Sequence, residues 1–252
     1  MIILVSPTKQ MTPSLPEGVD ISLTDPQFKS HAHLINGALS GYTLESLQGL
    51  MKISPDLAIN VNERVKNFGK TDSRIYPALF SYTGTVFKEM NPHTFTQGDL
   101  DFAHEHLRIL SGYYGLLKPL DGIKPYRLEM KTPLPVEGAK NLYSYWNPRV
   151  NQGLQEELSR DQPILNLASR EYFKMIEGEK LSARIITVGF KEPGSKGPRV
   201  VGTYAKVARG RLVRRIIQEH IKDPEIIKSW NVDGYKMNDD LSSGDDWIFY
   251  RS

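Results

Sequence analysis

Ile2, Ile3, Leu4 and Val5 form an unbroken apolar run that stops at Ser6-Pro7-Thr8-Lys9. A short run without polar alternation, closed by turn residues, reads as a strand buried on both faces. It is too short to cross a bilayer and lacks a basic leader, so neither a membrane span nor a signal peptide is expected and the expected location is the cytoplasm. The chain has 252 residues, 39 % apolar and 24 % charged, enough for a substantial core. It has no cysteine, which excludes a disulfide framework, a thiol nucleophile and thiolate-held metal. The net charge of +3 is small, so any attraction to a polyanion must come from local clustering.

Residues 10–26, rich in Pro, Ser, Thr and Gly, read as an extended surface loop. Helices are expected over 29–41, 43–51 and 54–68, the last with Pro55 in its first turn behind Ser54. Residues 78–89 read as a broken strand or a strand followed by a helical turn. Thr96 and Asp99 give a cap-like start to a helix whose face is Leu100, Ala103, Leu107 and Leu110 and which ends before Gly112. A strand is expected over 126–130, and a helix launched by Asn147-Pro148. Residues 164–168 should form a strand followed by a helix capped by Ser169. Paired strands are expected over 185–190 and 200–205, and a last strand over 247–250. No linker or repeat divides the chain, so the expected fold is one α+β domain over 1–252, a mixed sheet with surrounding helices.

Several constellations bear on chemistry. In the tract 204–222, Lys206, Arg209, Arg211, Arg214, Arg215 and Lys222 stand against the single acid Glu219. In a helix, Arg211, Arg214 and Arg215 share one side, and guanidinium forks suit phosphate. Gly210 would permit close approach of a phosphate near a helix start. A solvated basic face is the competing reading. Residues 107–121, LRILSGYYGLLKPLD, show an apolar–glycine rhythm through Gly112 and Gly115 that resembles a helix-hairpin-helix element, flanked by Arg108 and Lys118. Amides of such a turn hold phosphate without reading sequence; a purely structural turn with Tyr113 and Tyr114 inward is the alternative.

Ser6, Thr8 and Lys9 follow the first strand, where ligands gather in open α/β sheets, although the segment is not a P-loop. Ser169, Arg170 and Glu171 sit at a second strand end, a place for a ligand or simply for a helix start. Arg127 and Glu129 would share a strand face, as an ion pair or, beside a cleft, with Glu129 as general base. His31 and His33, like His104 and His106, are badly spaced for a shared metal on a helix, so no metal site and no cofactor is expected.

Taken in order, Ser6-Pro7-Thr8-Lys9, LRILSGYYGLLKPLD, YRLEM at 126–130, LYSYW at 142–146, NLASREY at 166–172 and YAKVARG at 204–210 resemble the YaaA-type peroxide-stress protein family of bacteria over essentially the whole chain. One block departs: where relatives often carry lysine and aspartate, this chain has Tyr82 and Thr85. The resemblance implies an unusual α+β fold rather than a standard Rossmann domain, a cytoplasmic role in limiting iron-linked oxidative damage, and duplex DNA as partner. It places a helix-hairpin-helix-like element at 99–121, with Gly112, Gly115, Arg108 and Lys118 at the hairpin. A basic cleft would draw on Lys9, Arg127, Lys206, Arg209 and Arg211, with Arg214 and Arg215 extending the surface. No catalytic residue is implied. The leading expectation is therefore non-sequence-specific DNA binding through phosphates. The alternative is an enzyme acting on a phosphate-bearing small molecule or modified nucleotide, in a pocket of Ser6, Thr8, Glu129 and Ser169.

Overall fold

The computed structural model describes residues 1–70 and 74–251. In chain order the elements are β1 (Ile2–Val5), α1 (Lys29–Ser40), α2 (Leu44–Met51), α3 (Pro55–Phe68), β2 (Tyr76–Pro77), α4 (Thr85–Met90), α5 (Gln97–His106), β3 (Leu107–Ser111), β4 (Gly115–Leu117), β5 (Gly122–Ile123), α6 (Leu142–Glu157), β6 (Ile164–Asn166), α7 (Arg170–Phe173), β7 (Ile185–Lys191), α8 (Gly202–Gln218), β8 (Lys236–Met237) and β9 (Asp246–Tyr250). The main sheet runs β4-β3-β1-β6-β7-β9-β8. Its middle five strands are parallel, and β4 and β8 close the two edges antiparallel. This is a mixed α+β architecture and not a Rossmann fold. Among the described residues no helix is long and apolar enough to cross a membrane.

The apolar run at the N-terminus is β1, with all four residues buried between β3 and β6. The chain passes from β1 to β3 on one side and later returns to β6 on the other, so the junction between β1 and β6 is a switch point of the sheet. Loops leaving the C-terminal ends of such a strand pair diverge and open a crevice.

Helix ends follow local chemistry where side chains can cap. Thr43 and Ser54 accept from the amides of Ser46 and Leu57, and Thr96 with Asp99 forms a reciprocal capping box. Elsewhere packing shifted the boundaries. Helix α6 begins at Leu142, not at Pro148, because Asn141 and Ser144 cap it earlier and Leu142, Tyr145 and Trp146 are buried along its first turns. That burial outweighs the ~3 kcal/mol typical of an interior proline. Residues 126–130 form no strand. The expected strand over 200–205 is instead the start of α8; β7 pairs with β6 and β9, and Glu192 bridges Arg199 across the intervening loop.

The expected helix-hairpin-helix element at 99–121 is a helix followed by a β-hairpin. Helix α5 ends at His106, and β3 then pairs parallel with β1 and antiparallel with β4. Leu107 and Leu110 match a helical period, but every residue of β3 is buried, and a fully buried strand has no period to distinguish it.

Candidate functional site

A cleft of about 580 Å³ opens at the switch point, lined from β1's loop by Ser6, Thr8 and Lys9, from β6's loop by Ser169, and from α8 by Lys206 and Arg209. Arg127, Glu129, Glu171 and Tyr172 complete its charged and aromatic wall. Two glycines let these pieces approach. A Cβ on Gly84 would stand 2.4 Å from Thr8 Cγ2, and Gly84 donates its amide to Thr8 Oγ1 at 3.2 Å. A Cβ on Gly210 would stand 2.4 Å from the Val86 carbonyl oxygen, so α8 crosses α4 in close contact and turns its Lys206–Arg209 face to the cleft. Gly210 thus serves helix packing in mid-helix, not phosphate approach at a helix start.

The cleft holds four cationic side chains against two carboxylates. Glu129 pairs with Lys9 at 2.8 Å and with Lys131 at 3.1 Å. Burial pushes the Glu129 carboxyl up, but the two ammonium groups outweigh burial and hold it below its ordinary range. A carboxylate kept ionised in this way is a weak proton acceptor. Ser169 donates its amide to Ser6 Oγ at 2.8 Å, and Ser6 Oγ donates to Ser169 Oγ at 3.1 Å, which leaves the Ser169 hydroxyl hydrogen to point elsewhere. Among the described residues neither serine is hydrogen-bonded to a histidine or carboxylate, the usual means of activating a hydroxyl nucleophile. Burial holds the Tyr172 phenol well above its ordinary value, so it stays protonated.

The Arg209 side chain makes no ion pair or hydrogen bond among the described residues, and its Nε is buried without a partner. Burial holds its guanidinium below the ordinary value. A desolvated, unpaired cation is costly to maintain, and an anion in the cleft would relieve that cost.

The family model described as "Peroxide stress protein YaaA" matches residues 1–241. A UPF0246 protein of Clostridium perfringens is 40 % identical over 258 residues, covering all of both chains. UPF0246 proteins of Parabacteroides distasonis and Acaryochloris marina are 37 % and 36 % identical, again over the full length of both chains. The chain belongs to the YaaA peroxide-stress family. Membership links it to peroxide stress and leaves the chemistry to be argued from the site.

The residues expected in a basic surface, or in the alternative pocket of Ser6, Thr8, Glu129 and Ser169, divide. Ser6, Thr8, Lys9, Arg127, Glu129, Ser169, Lys206 and Arg209 meet in the cleft; Arg127 and Glu129 do so from an irregular segment. Arg211, Arg214 and Arg215 do not line it. Arg211 is bound by Glu89 and Asp233 at 2.9 and 2.6 Å. Arg214 donates to the carbonyls of Met90 and Asn91 and to Thr94 Oγ1, closing the C-terminus of α4. Arg215 pairs with Glu219 and lies over the Trp230 ring. The aspartate-rich C-terminal segment thus meets an arginine through Asp233.

Arg108 and Lys118 also lie apart. Arg108 is buried, with Nε on Glu157 at 2.6 Å, and Lys118 Nζ is 3.5 Å from the same carboxylate. Both line a separate cavity of about 320 Å³ that shares no residue with the cleft. The hairpin amides are also occupied: Tyr113 and Tyr114 both donate to Ser111 Oγ, at 3.1 and 3.0 Å. Gly115, at φ +71°, is required because a Cβ would sit 2.6 Å from the Trp146 ring, and a Cβ on Gly112 would crowd the Leu128 carbonyl oxygen at 3.1 Å. The structural reading of this turn, with Tyr113 and Tyr114 buried, is the one realised.

Sequence reasoning placed Glu171 beside Ser169 at a strand end, but did not single out Tyr172, Lys131 or Gly84 for the site. Tyr172 follows Ser169 by three residues, so its proximity to that strand end was the available signal. Nothing local marks Gly84, whose role depends on Thr8, 76 residues away.

Proposed function

We propose that the cleft binds a phosphate-bearing nucleotide or small molecule, with the phosphate received by Arg209, Lys206 and the Ser169 hydroxyl, which Ser6 orients. The observation that carries this reading is Arg209, buried at Nε and unpartnered among the described residues. The cleft volume of about 580 Å³ falls within the usual range for small ligands. Glu129, held by Lys9 and Lys131, lines the same cleft, where its carboxylate can accept from a ligand hydroxyl or amine.

Duplex DNA is a second reading, favoured by the exposure of Lys9 and Lys131 (side chains 53 % and 65 % exposed) and of Lys206 near the mouth. On that reading, contacts to backbone phosphates centre on the cleft, since Arg211, Arg214 and Arg215 are bound within the protein. Among the described residues no group of three His, Asp or Glu side chains is placed to hold a metal ion, and no iron site is assigned.

Titration calorimetry with inorganic phosphate, adenosine 5′-monophosphate and a short duplex tests both. Arg209→Gln should weaken monophosphate binding by about tenfold or more, the scale of a lost charge-assisted hydrogen bond. Unchanged monophosphate affinity in that variant would overturn the first reading. Duplex binding that competes with the monophosphate and depends on Lys206 would instead support the second.

A further inference from the structure

A second basic pocket of about 470 Å³ adjoins the cleft and shares Lys9, Gln10 and Arg127 with it. Its own contribution is Arg64 from α3, together with Asn60, Thr12 and Thr83. Arg64 Nη1 donates to the Tyr126 carbonyl at 3.1 Å, which anchors its guanidinium beside the residue that follows, Arg127. Burial, and then the Arg127 charge, hold the Arg64 guanidinium below its ordinary value. Among the described residues no carboxylate lies within 4.0 Å of either guanidinium, although both are half-buried. This contrasts with Arg108, Arg184, Arg211, Arg215 and Arg251, each of which has a carboxylate partner.

The partition between the two pockets is built firmly. Thr8 Oγ1 donates to the Gln10 carbonyl at 2.8 Å and accepts from Gly84. Thr83 donates its amide to the same Gln10 carbonyl at 3.1 Å, and Met11 bridges Tyr82. Arg127 therefore stands between two polar cavities, each with another arginine that has no carboxylate partner among the described residues.

We propose that the Arg64–Arg127 pocket is a second phosphate subsite, and that the ligand of this protein carries two separated phosphate groups, one on Arg209 and one between Arg64 and Arg127. The proposal rests on the phosphate reading of the cleft. Two guanidinium forks side by side match a phosphate dianion, which accepts from both and cancels their repulsion. A ligand of this chemistry is a nucleoside flanked by phosphates, supplied either as a free nucleoside bisphosphate or as one unit of an accessible nucleic-acid strand.

The test compares adenosine 3′,5′-bisphosphate with adenosine 5′-monophosphate by titration calorimetry, in wild type and in Arg64→Gln. The wild-type protein should bind the bisphosphate at least tenfold more tightly, and Arg64→Gln should erase that advantage while leaving monophosphate affinity unchanged. If Arg64→Gln does not fold, Arg64→Lys retains a donor for the Tyr126 carbonyl and should show a reduced advantage. Equal affinity for both probes in wild type, with monophosphate binding lost in Arg209→Gln, overturns the second subsite and leaves the cleft reading standing. Inorganic phosphate binding that is lost in Arg64→Gln and indifferent to Arg209→Gln overturns the Arg209 reading and with it the two-phosphate ligand, leaving a single phosphate site at Arg64. No binding of any probe overturns both. Single-stranded oligothymidylate assigns the source: tighter binding than the bisphosphate indicates a strand, weaker binding a free metabolite, and in either case sensitivity to Arg64→Gln supports the subsite.

Discussion

Glu129 sets the charge of the cleft wall. It binds Lys9 and Lys131 together, so two of the cations nearest the mouth are partly neutralised. Its carboxyl lies below its ordinary value of 4.5 when folded. The stability of this ion triad is therefore fully present above that ordinary value and is lost as pH falls through the lower, folded one. Replacing Glu129 by Gln frees both ammonium groups at neutral pH. Anion affinity in the cleft should rise by roughly threefold or more, on the scale of one screened charge a few ångströms away. Phosphate titrations of wild type and Glu129→Gln at neutral pH check this; equal affinities would show that the triad does not govern the anion. Arg209 is the converse case, since the same tract supplied five other basic residues and only the fold distinguished the one whose guanidinium Nε is buried without a hydrogen-bond partner among the described residues.

Helix α8 illustrates how an element divides its labour. Its apolar residues Leu212, Val213, Ile216 and Ile217 are buried, as their spacing predicts. Its basic residues were expected to contribute to one basic surface, yet they serve two ends: Lys206 and Arg209 line the cleft, while Arg211, Arg214 and Arg215 fasten the helix to α4 and to the C-terminal segment. Changing those three arginines together to alanine should lower stability by roughly 1–3 kcal/mol, from exposed ion pairs, capping bonds and a ring contact. Monophosphate affinity should stay within about twofold, because exposed charges outside the cleft are screened. Chemical denaturation and calorimetry on the same variant separate the two effects; a large loss of affinity with unchanged stability would restore these arginines to the binding surface. Gly210→Val would force a side chain against the Val86 carbonyl, 2.4 Å from where its Cβ must stand. The expected cost is ~1–3 kcal/mol of overpacking, read as a lowered denaturation midpoint, with weaker phosphate binding because Arg209 adjoins the displaced contact.

Across the whole molecule, Asp121 ties distant segments together. It is 2 % exposed, accepts from the Thr24 hydroxyl at 2.7 Å and the Lys118 amide at 2.8 Å, and its carbonyl accepts from Ala78. Burial pushes its carboxyl from 3.8 up to about 6, against the pull of those hydrogen bonds. The folded protein therefore binds this proton more tightly than the unfolded chain, so the group adds stability as pH falls through about 6, a gain complete below 3.8. In urea denaturation the difference between wild type and Asp121→Asn should shift in favour of wild type between about pH 7 and about pH 4. A difference that does not change with pH would show that the carboxyl titrates normally.

Short-range chemistry was enough to locate β1, α2, α3 and β9, because an apolar run, a capping hydroxyl or an alternating strand carries its own signal within a few residues. It also placed Ser6, Thr8, Lys9 and Ser169 in the cleft, since polar side chains that follow a strand stand at its open end, whereas Arg127, Glu129, Lys206 and Arg209 reach it from an irregular segment and a helix that were expected to be strands or a helix start. It could not place β3 within a hairpin, begin α6 at Leu142, or separate Arg209 from Arg211. Those outcomes depend on Ser111 meeting the turn amides, Trp146 reaching the Gly112 carbonyl, and Glu89 and Asp233 arriving beside one guanidinium while, among the described residues, no carboxylate arrives beside the other. Whether a charge is spent inside the protein or left for a ligand is a property of contacts between remote segments, and only the folded chain brings those segments together.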